Sequence, residues 1–133
     1  SLGMITLNAL TAADEVIVPM PCEFFALDGL AELIETIRRV QAGPNPRLQM
    51  GGILLTMAEE RTNLGAAVAQ EVRQAFPGKV FQTFIPRNIR LAEAPSHGKP
   101  VAFYDLRSKG AQAYLNLARE WLGQQVVALS EER

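Results

Sequence analysis

The sequence predicts an α/β fold, a parallel sheet with flanking helices. Short, wholly apolar runs alternate with stretches of helical periodicity, the order of repeated strand–helix–strand units. The helical stretches stop at Gly43-Pro44 and Pro77-Gly78, pairs that cannot continue a helix. At 133 residues, 48% hydrophobic and 20% charged, the chain has the size and composition of one globular domain.

Taken in order, Leu2, Ile5, Ala9 and Leu10 make a short amphipathic helix ending near Ala13-Asp14. Val16-Ile17-Val18, halted by Pro19 and Pro21, reads as a strand buried on both faces. Leu27, Leu30, Ile34, Ile37 and Gln41 fall at helical spacing. Gly52 to Thr56 is a second strand, and Asn63 reads as the N-cap of a helix carried by Leu64, Val68, Val72 and Phe76. Val80 to Ile85 is a third strand, followed by a loop-rich segment. Ser108 caps a last helix with Ala111, Tyr114, Leu115, Ala118, Trp121 and Leu122 on its apolar stripe. Residues 1–122 form the predicted domain, and 123–133 a tail expected to fray.

Right-handed crossovers place the loops that leave the three strands along one edge of the sheet. Open α/β sheets bind ligands at that carboxyl edge. Glu23, Arg61, Asn63, Arg87, Asn88 and Arg90 should therefore be broad neighbours. Three strands make a small sheet, and Val16–Val18 is too apolar for an open edge. The chain is expected to be part of a larger sheet, or to be covered by a second copy.

Several chemistries are poorly supported. No apolar run approaches the ~18 residues of a membrane span, and Ser1–Ala13 has no basic start resembling a signal peptide. A single cysteine, Cys22, excludes an internal disulfide and suits a reducing compartment. With the single histidine, His97, it gives little support for zinc. Adjacent Ser96 and His97 do not aim a base at a nucleophile. A phosphate-wrapping loop needs G-x-x-x-x-G-K-[ST]. The two Gly-Lys pairs, Gly78-Lys79 and Gly98-Lys99, are followed by Val80 and Pro100 and do not form it.

Net charge is −1, but it is unevenly spread. Residues 1–60 hold three basic side chains against eight acidic ones, while residues 79–109 hold six basic against Glu93 and Asp105. Arg61, Arg87 and Arg90 could grip phosphate oxygens, the arginine fork being suited to them. Pairing with Glu59, Glu60 or Glu93 on the surface explains them equally well from the residues alone.

Several blocks, in order, resemble the ParA (Soj-like) chromosome and plasmid partition ATPases: Leu7–Asp14, Pro21–Leu30, Leu54–Met57, Arg61–Leu64, the Pro-Arg-Asn-rich run Ile85–Pro100, and Tyr104–Ala111. The resemblance implies a P-loop NTPase-like (deviant Walker) parallel sheet. Because the family's Lys-Gly-Gly-x-Gly-Lys-Thr loop would precede Ser1, it also implies a C-terminal half with the N-terminal half missing. Such a piece is expected to be inactive alone as an ATP hydrolase, and to hold neither ATP nor Mg²⁺ tightly, though the intact protein uses both. By the same resemblance Thr56, Met57, Pro86, Arg87 and Asn88 would line the adenine and ribose pocket, and Arg61 and Arg90 would bind DNA without sequence preference. The implied partners are nucleoid DNA, a ParB-type protein and a second copy in a homodimer, in the cytoplasm and away from membranes. Two rival expectations are a MinD-like positioning ATPase and a non-catalytic dimerising interaction domain. The short, acidic end Ser130–Arg133 argues against the first of these.

Overall fold

The computed structural model describes residues 3–59 and 62–132. Helix α1 (Met4–Ala12) leads into strand β1 (Glu15–Pro21), α2 (Ala26–Ala42), strand β2 (Gln49–Thr56) and α3 (Asn63–Ala75). Three short helical turns follow, α4 (Ile89–Glu93), a 3-10 turn (Ala94–His97) and α5 (Val101–Tyr104), before the long α6 (Lys109–Glu131). The stretch read as loop is thus a string of brief helices, and α6 runs on through most of 123–133.

β1 and β2 are parallel, with Val18 opposite Ile53 and Met20 opposite Leu55. The register slips between Val16 and Ile17, where Gly51 is passed over. The expected third strand is only partly made. Val80 bridges to Ile53 and Pro86 to Ala58, and the N–H groups of Phe81 and Ile85 donate to the carbonyls of Ile53 (2.9 Å) and Leu55 (2.9 Å). Between those points the backbone turns away. The N–H groups of Gln82 and Thr83 donate instead to the two carboxylate oxygens of Glu120 on α6, each at 2.8 Å. A side chain from a distant helix satisfies the donors, so the segment needs no continuous ladder.

The sheet separates two packing layers of unequal depth. On one face Val18, Met20, Ile53 and Leu55 pack with Leu30, Ile37 and Val40 of α2, Val68 and Val72 of α3, and Leu10 of α1. On the other, Leu54, Phe81, Ile85 and Ala113 of α6 form a smaller cluster with Leu91, Leu117 and Trp121 around it. Gly52 belongs to this second face. Its φ is +151°, and a Cβ there would lie 2.6 Å from the Phe81 ring, so the ring can lie against β2 only because no side chain intervenes.

Two local readings shift. The α3 N-cap is Thr62 rather than Asn63, its Oγ1 accepting the Gly65 N–H at 3.2 Å. In α1 only Leu10 is buried and Ile5 is exposed; Leu2 lies outside the described residues. Ser108 caps α6, accepting the Ala111 N–H at 3.1 Å. The Gly43-Pro44 stop is also tied across the fold: Asn45 just beyond it donates from Nδ2 to the carbonyls of Leu10 (3.0 Å) and Ala13 (2.8 Å). β1 pairs with β2 on one side only among the described residues, and Ile17 stays 40% exposed.

Candidate functional site

The carboxyl edge gathers what the topology requires. β2 ends at Thr56, whose carbonyl accepts the Cys22 N–H at 3.1 Å, so the exits of β1 and β2 are tied together. Met57 then takes a left-handed backbone with φ +50°. That conformation is uncommon for a residue with a flexible apolar side chain, and it leaves Met57 half exposed at the rim. The next residues pair with the end of the third segment: Ala58 N–H donates to the Ile85 carbonyl (3.2 Å) and Arg87 N–H to the Ala58 carbonyl (3.4 Å). Arg87 and Glu59 meet at 3.0 Å.

This corner opens into a cavity of about 790 Å³ whose lining includes Ala58, Glu59, Pro86, Arg87, Lys109 and Asn116. Of the five residues assigned to a base and ribose pocket, Pro86 and Arg87 line it. Thr56 and Met57 lie on the strand end just before it. Asn88 serves the backbone, its Oδ1 accepting the Arg90 N–H at 3.2 Å as the cap of α4. The α6 residues Lys109 and Asn116 were missed by sequence reasoning. Their only signal was position on the first turns of the last helix, which does not announce that the helix returns under the sheet.

Arg90 is engaged with its own chain. Its Nη1 lies 2.9 Å from Glu93 Oε2 and its Nε 3.3 Å from Asp105 Oδ2. Tyr104 donates its hydroxyl to the same Glu93 oxygen at 2.6 Å. That hydrogen bond, then the one from Arg90, holds the Glu93 carboxyl below the usual range. The bond to Glu93 correspondingly pushes the Tyr104 hydroxyl and the Arg90 guanidinium up. Arg61 lies outside the described residues.

Two other residues are accounted for. His97 stacks on Tyr104, ring centroids 4.8 Å apart, which fits a local loop role rather than catalysis. Burial pushes the Cys22 thiol up despite the opposing influence of Arg73, as befits a structural thiol. No group of three or more His, Cys, Asp or Glu side chains is placed to hold a metal ion among the described residues, and no helix there is long and apolar enough to cross a membrane.

The chain is 56% identical over 120 residues to the sporulation initiation inhibitor protein Soj of Bacillus subtilis, covering 90% of this chain and 47% of that protein. It is equally identical over 120 residues to the chromosome partitioning protein ParA of Caulobacter vibrioides, covering 45% of that protein. Over the compared residues the chain is similar to ParA and Soj proteins. It spans about half the length of the curated relatives it matches. The model of a family described as AAA domain matches residues 1–50. Among solved structures, the cobyrinic acid a,c-diamide synthase of Mycobacterium smegmatis matches with TM-score 0.69 and 36% identity, over 91% of this chain and 44% of that one. It has been solved with bound ADP and magnesium and with an ATP analogue and magnesium.

These findings correct the expectation of a ParA-type C-terminal half with its N-terminal half missing. The AAA-domain match covers residues 1–50, so the N-terminal region itself carries AAA-domain similarity. The expectations that the chain is inactive alone, and that it holds no ATP or Mg²⁺ tightly, fall with it, because the structures it matches over 91% of its length hold ADP or an ATP analogue with magnesium. The 133 residues of this chain contain no G-x-x-x-x-G-K-[ST] run. The Pro86–Arg87 corner combines a rigid proline and an arginine at an open cavity, with a half-exposed Met57 on the strand end nearby. Magnesium bound with nucleotide takes several ligands from phosphate and water, and needs only one or two carboxylates.

Proposed function

We propose that this chain acts in a ParA/Soj-type DNA partition ATPase, and that its carboxyl edge holds the base and ribose of the nucleotide. In this reading Pro86 and Arg87 line the wall itself, Thr56 and Met57 flank it from the end of β2, and Asn88 holds the turn that carries Arg87. Arg61 and Arg90 are the non-specific DNA contacts, and a ParB-type protein, nucleoid DNA and a second copy of the chain are the partners. The observation that carries the reading is the coincidence of family and place. The Pro-Arg-Asn run that most resembles the family supplies two of the lining residues of the cavity at the ligand-binding edge of the sheet.

The chemistry follows from the residue types. A proline next to a half-exposed methionine offers apolar surface to a purine face, and Arg87 can turn from Glu59 to a ribose or phosphate oxygen. The Arg87–Glu59 pair is solvent-exposed, so exchanging it costs little. A fluorescent ATP analogue titrated with Mg²⁺ tests the wall. Arg87→Ala should weaken binding about tenfold, the scale of one charge-assisted hydrogen bond. Equal affinity in Arg87→Ala and in Met57→Ala would discard the pocket assignment. Gel-shift titration with Arg61→Ala and Arg90→Ala tests the DNA contacts. Each should weaken binding for all sequences alike and lower the salt slope by about one phosphate.

A further inference from the structure

We infer that Arg90 is held in check by its own chain: Glu93 and Asp105 occupy its guanidinium, and nucleic-acid phosphate must compete with them for it. This rests on the reading of Arg90 as a DNA contact and adds how that contact is regulated. The geometry is direct. Glu93 lies on Nη1 at 2.9 Å and Asp105 on Nε at 3.3 Å, so carboxylates hold donors that a phosphate would use. Two carboxylates on one cation leave the cluster with a net negative charge, which repels an approaching phosphate.

The arrangement is built rather than incidental. Arg90 and Glu93 sit three residues apart on α4, and Asp105 ends α5. Tyr104, one residue earlier, fixes Glu93 by its 2.6 Å hydrogen bond and is itself stacked by His97 from the intervening turn. All three short turns between Asn88 and Asp105 thus contribute a side chain to the cluster. None of these groups is deeply buried: Arg90 is about half exposed, and its carboxylates about one third. Exposed pairs of this kind exchange readily, so the contact tunes affinity and does not abolish it.

The opposite role has the same geometry: carboxylates that hold the guanidinium in the pose that phosphate needs. The two roles predict changes of opposite sign. Glu93→Gln keeps the shape and can still accept from Tyr104, and Asp105→Asn is likewise near-isosteric. Binding of each purified variant to a random-sequence DNA duplex is measured across a salt series, with circular dichroism verifying the fold. Glu35→Gln is the control, since Glu35 pairs with Arg39 on α2 and its loss changes net charge equally.

Glu93→Gln and Asp105→Asn should each tighten binding roughly two- to fivefold beyond Glu35→Gln, the range of an exposed ion pair. The salt slope should steepen by up to about 0.9. Tyr104→Phe should tighten binding less, because it loosens Glu93 without removing its charge. Should Glu93→Gln and Asp105→Asn match Glu35→Gln, or weaken binding, while Arg90→Ala weakens it, the restraint is wrong and the DNA contact stands. Should Arg90→Ala itself leave affinity and slope untouched, the DNA reading of Arg90 fails and the restraint with it.

Discussion

Leu54 and Leu55 are neighbours in β2, yet they serve two different layers. Leu55, 1% exposed, belongs to the deep face packed by α1, α2 and α3; Leu54, 5% exposed, belongs to the shallow one beneath α6. The deep face rests on interlocking apolar side chains from five elements. The shallow face has four buried apolar residues and leans on a polar clamp, the Glu120 carboxylate gripping two backbone N–H groups. One sheet can therefore be held by dispersion and hydrophobic burial on one side and by directed hydrogen bonds on the other. The clamp stands beside the cavity corner, which Gln82 and Thr83 also line.

Truncation should separate the faces most sharply. Leu55→Ala should cost about 4–5 kcal/mol in urea or guanidinium unfolding, because the close-packed deep layer cannot collapse onto the void. Leu54→Ala should cost about 3 kcal/mol, since the thin layer can relax. Equal costs, or the reverse order, would show that the faces do not differ in rigidity. Gly52→Ala comes next, at about 2 kcal/mol, because a methyl group meets the Phe81 ring and the left-handed backbone resists it. A negligible change there would mean that Phe81 is free to move and the shallow face is not a fixed layer.

Glu120→Gln sharpens the contrast further. It removes a charge-assisted clamp and should cost about 1–2 kcal/mol. Burial pulls the Glu120 carboxyl up, but the Thr83 and Gln82 N–H groups outweigh it and hold the group below its ordinary range. The sign follows. The clamp's stabilisation is complete above the unfolded glutamate value of about 4.3 and is lost as pH falls through the lowered folded value. Acid titration of unfolding free energy should show this step in the native chain and lack it in Glu120→Gln; identical acid limbs would remove the clamp from the account. Smallest of all, Thr62→Ala should cost about 1 kcal/mol through loss of the α3 cap, while Asn63→Ala, beside it, should cost clearly less in the same thermal melts.

Much of the fold was legible in residue order. The runs Val16–Val18 and Gly52–Thr56, the stop at Gly43-Pro44 and the cap at Ser108 each state their role within a few residues. Right-handed crossovers also force the strand exits, Pro86–Arg87 among them, to one edge. The third strand was misjudged for a long-range reason. Val80, Phe81, Phe84 and Ile85 are good strand formers, but the N–H groups of Gln82 and Thr83 found a carboxylate 38 and 37 residues further on. Arg90 looked equally fit for phosphate or for surface pairing, and only proximity could show that Glu93 and Asp105 both reach it.

By itself, then, the amino-acid order determined the alternation of strand and helix, the parallel pairing and the edge where a ligand would sit, because periodicity, turn chemistry and chain handedness act over short distances. The tertiary structure alone decided that α6 returns beneath the sheet, clamps its third segment and adds Lys109 and Asn116 to the cavity, and that Arg90 is occupied by its own carboxylates. Those outcomes depend on which side chains meet across folded space, where a distance of a few ångströms separates an ion pair from a free charge.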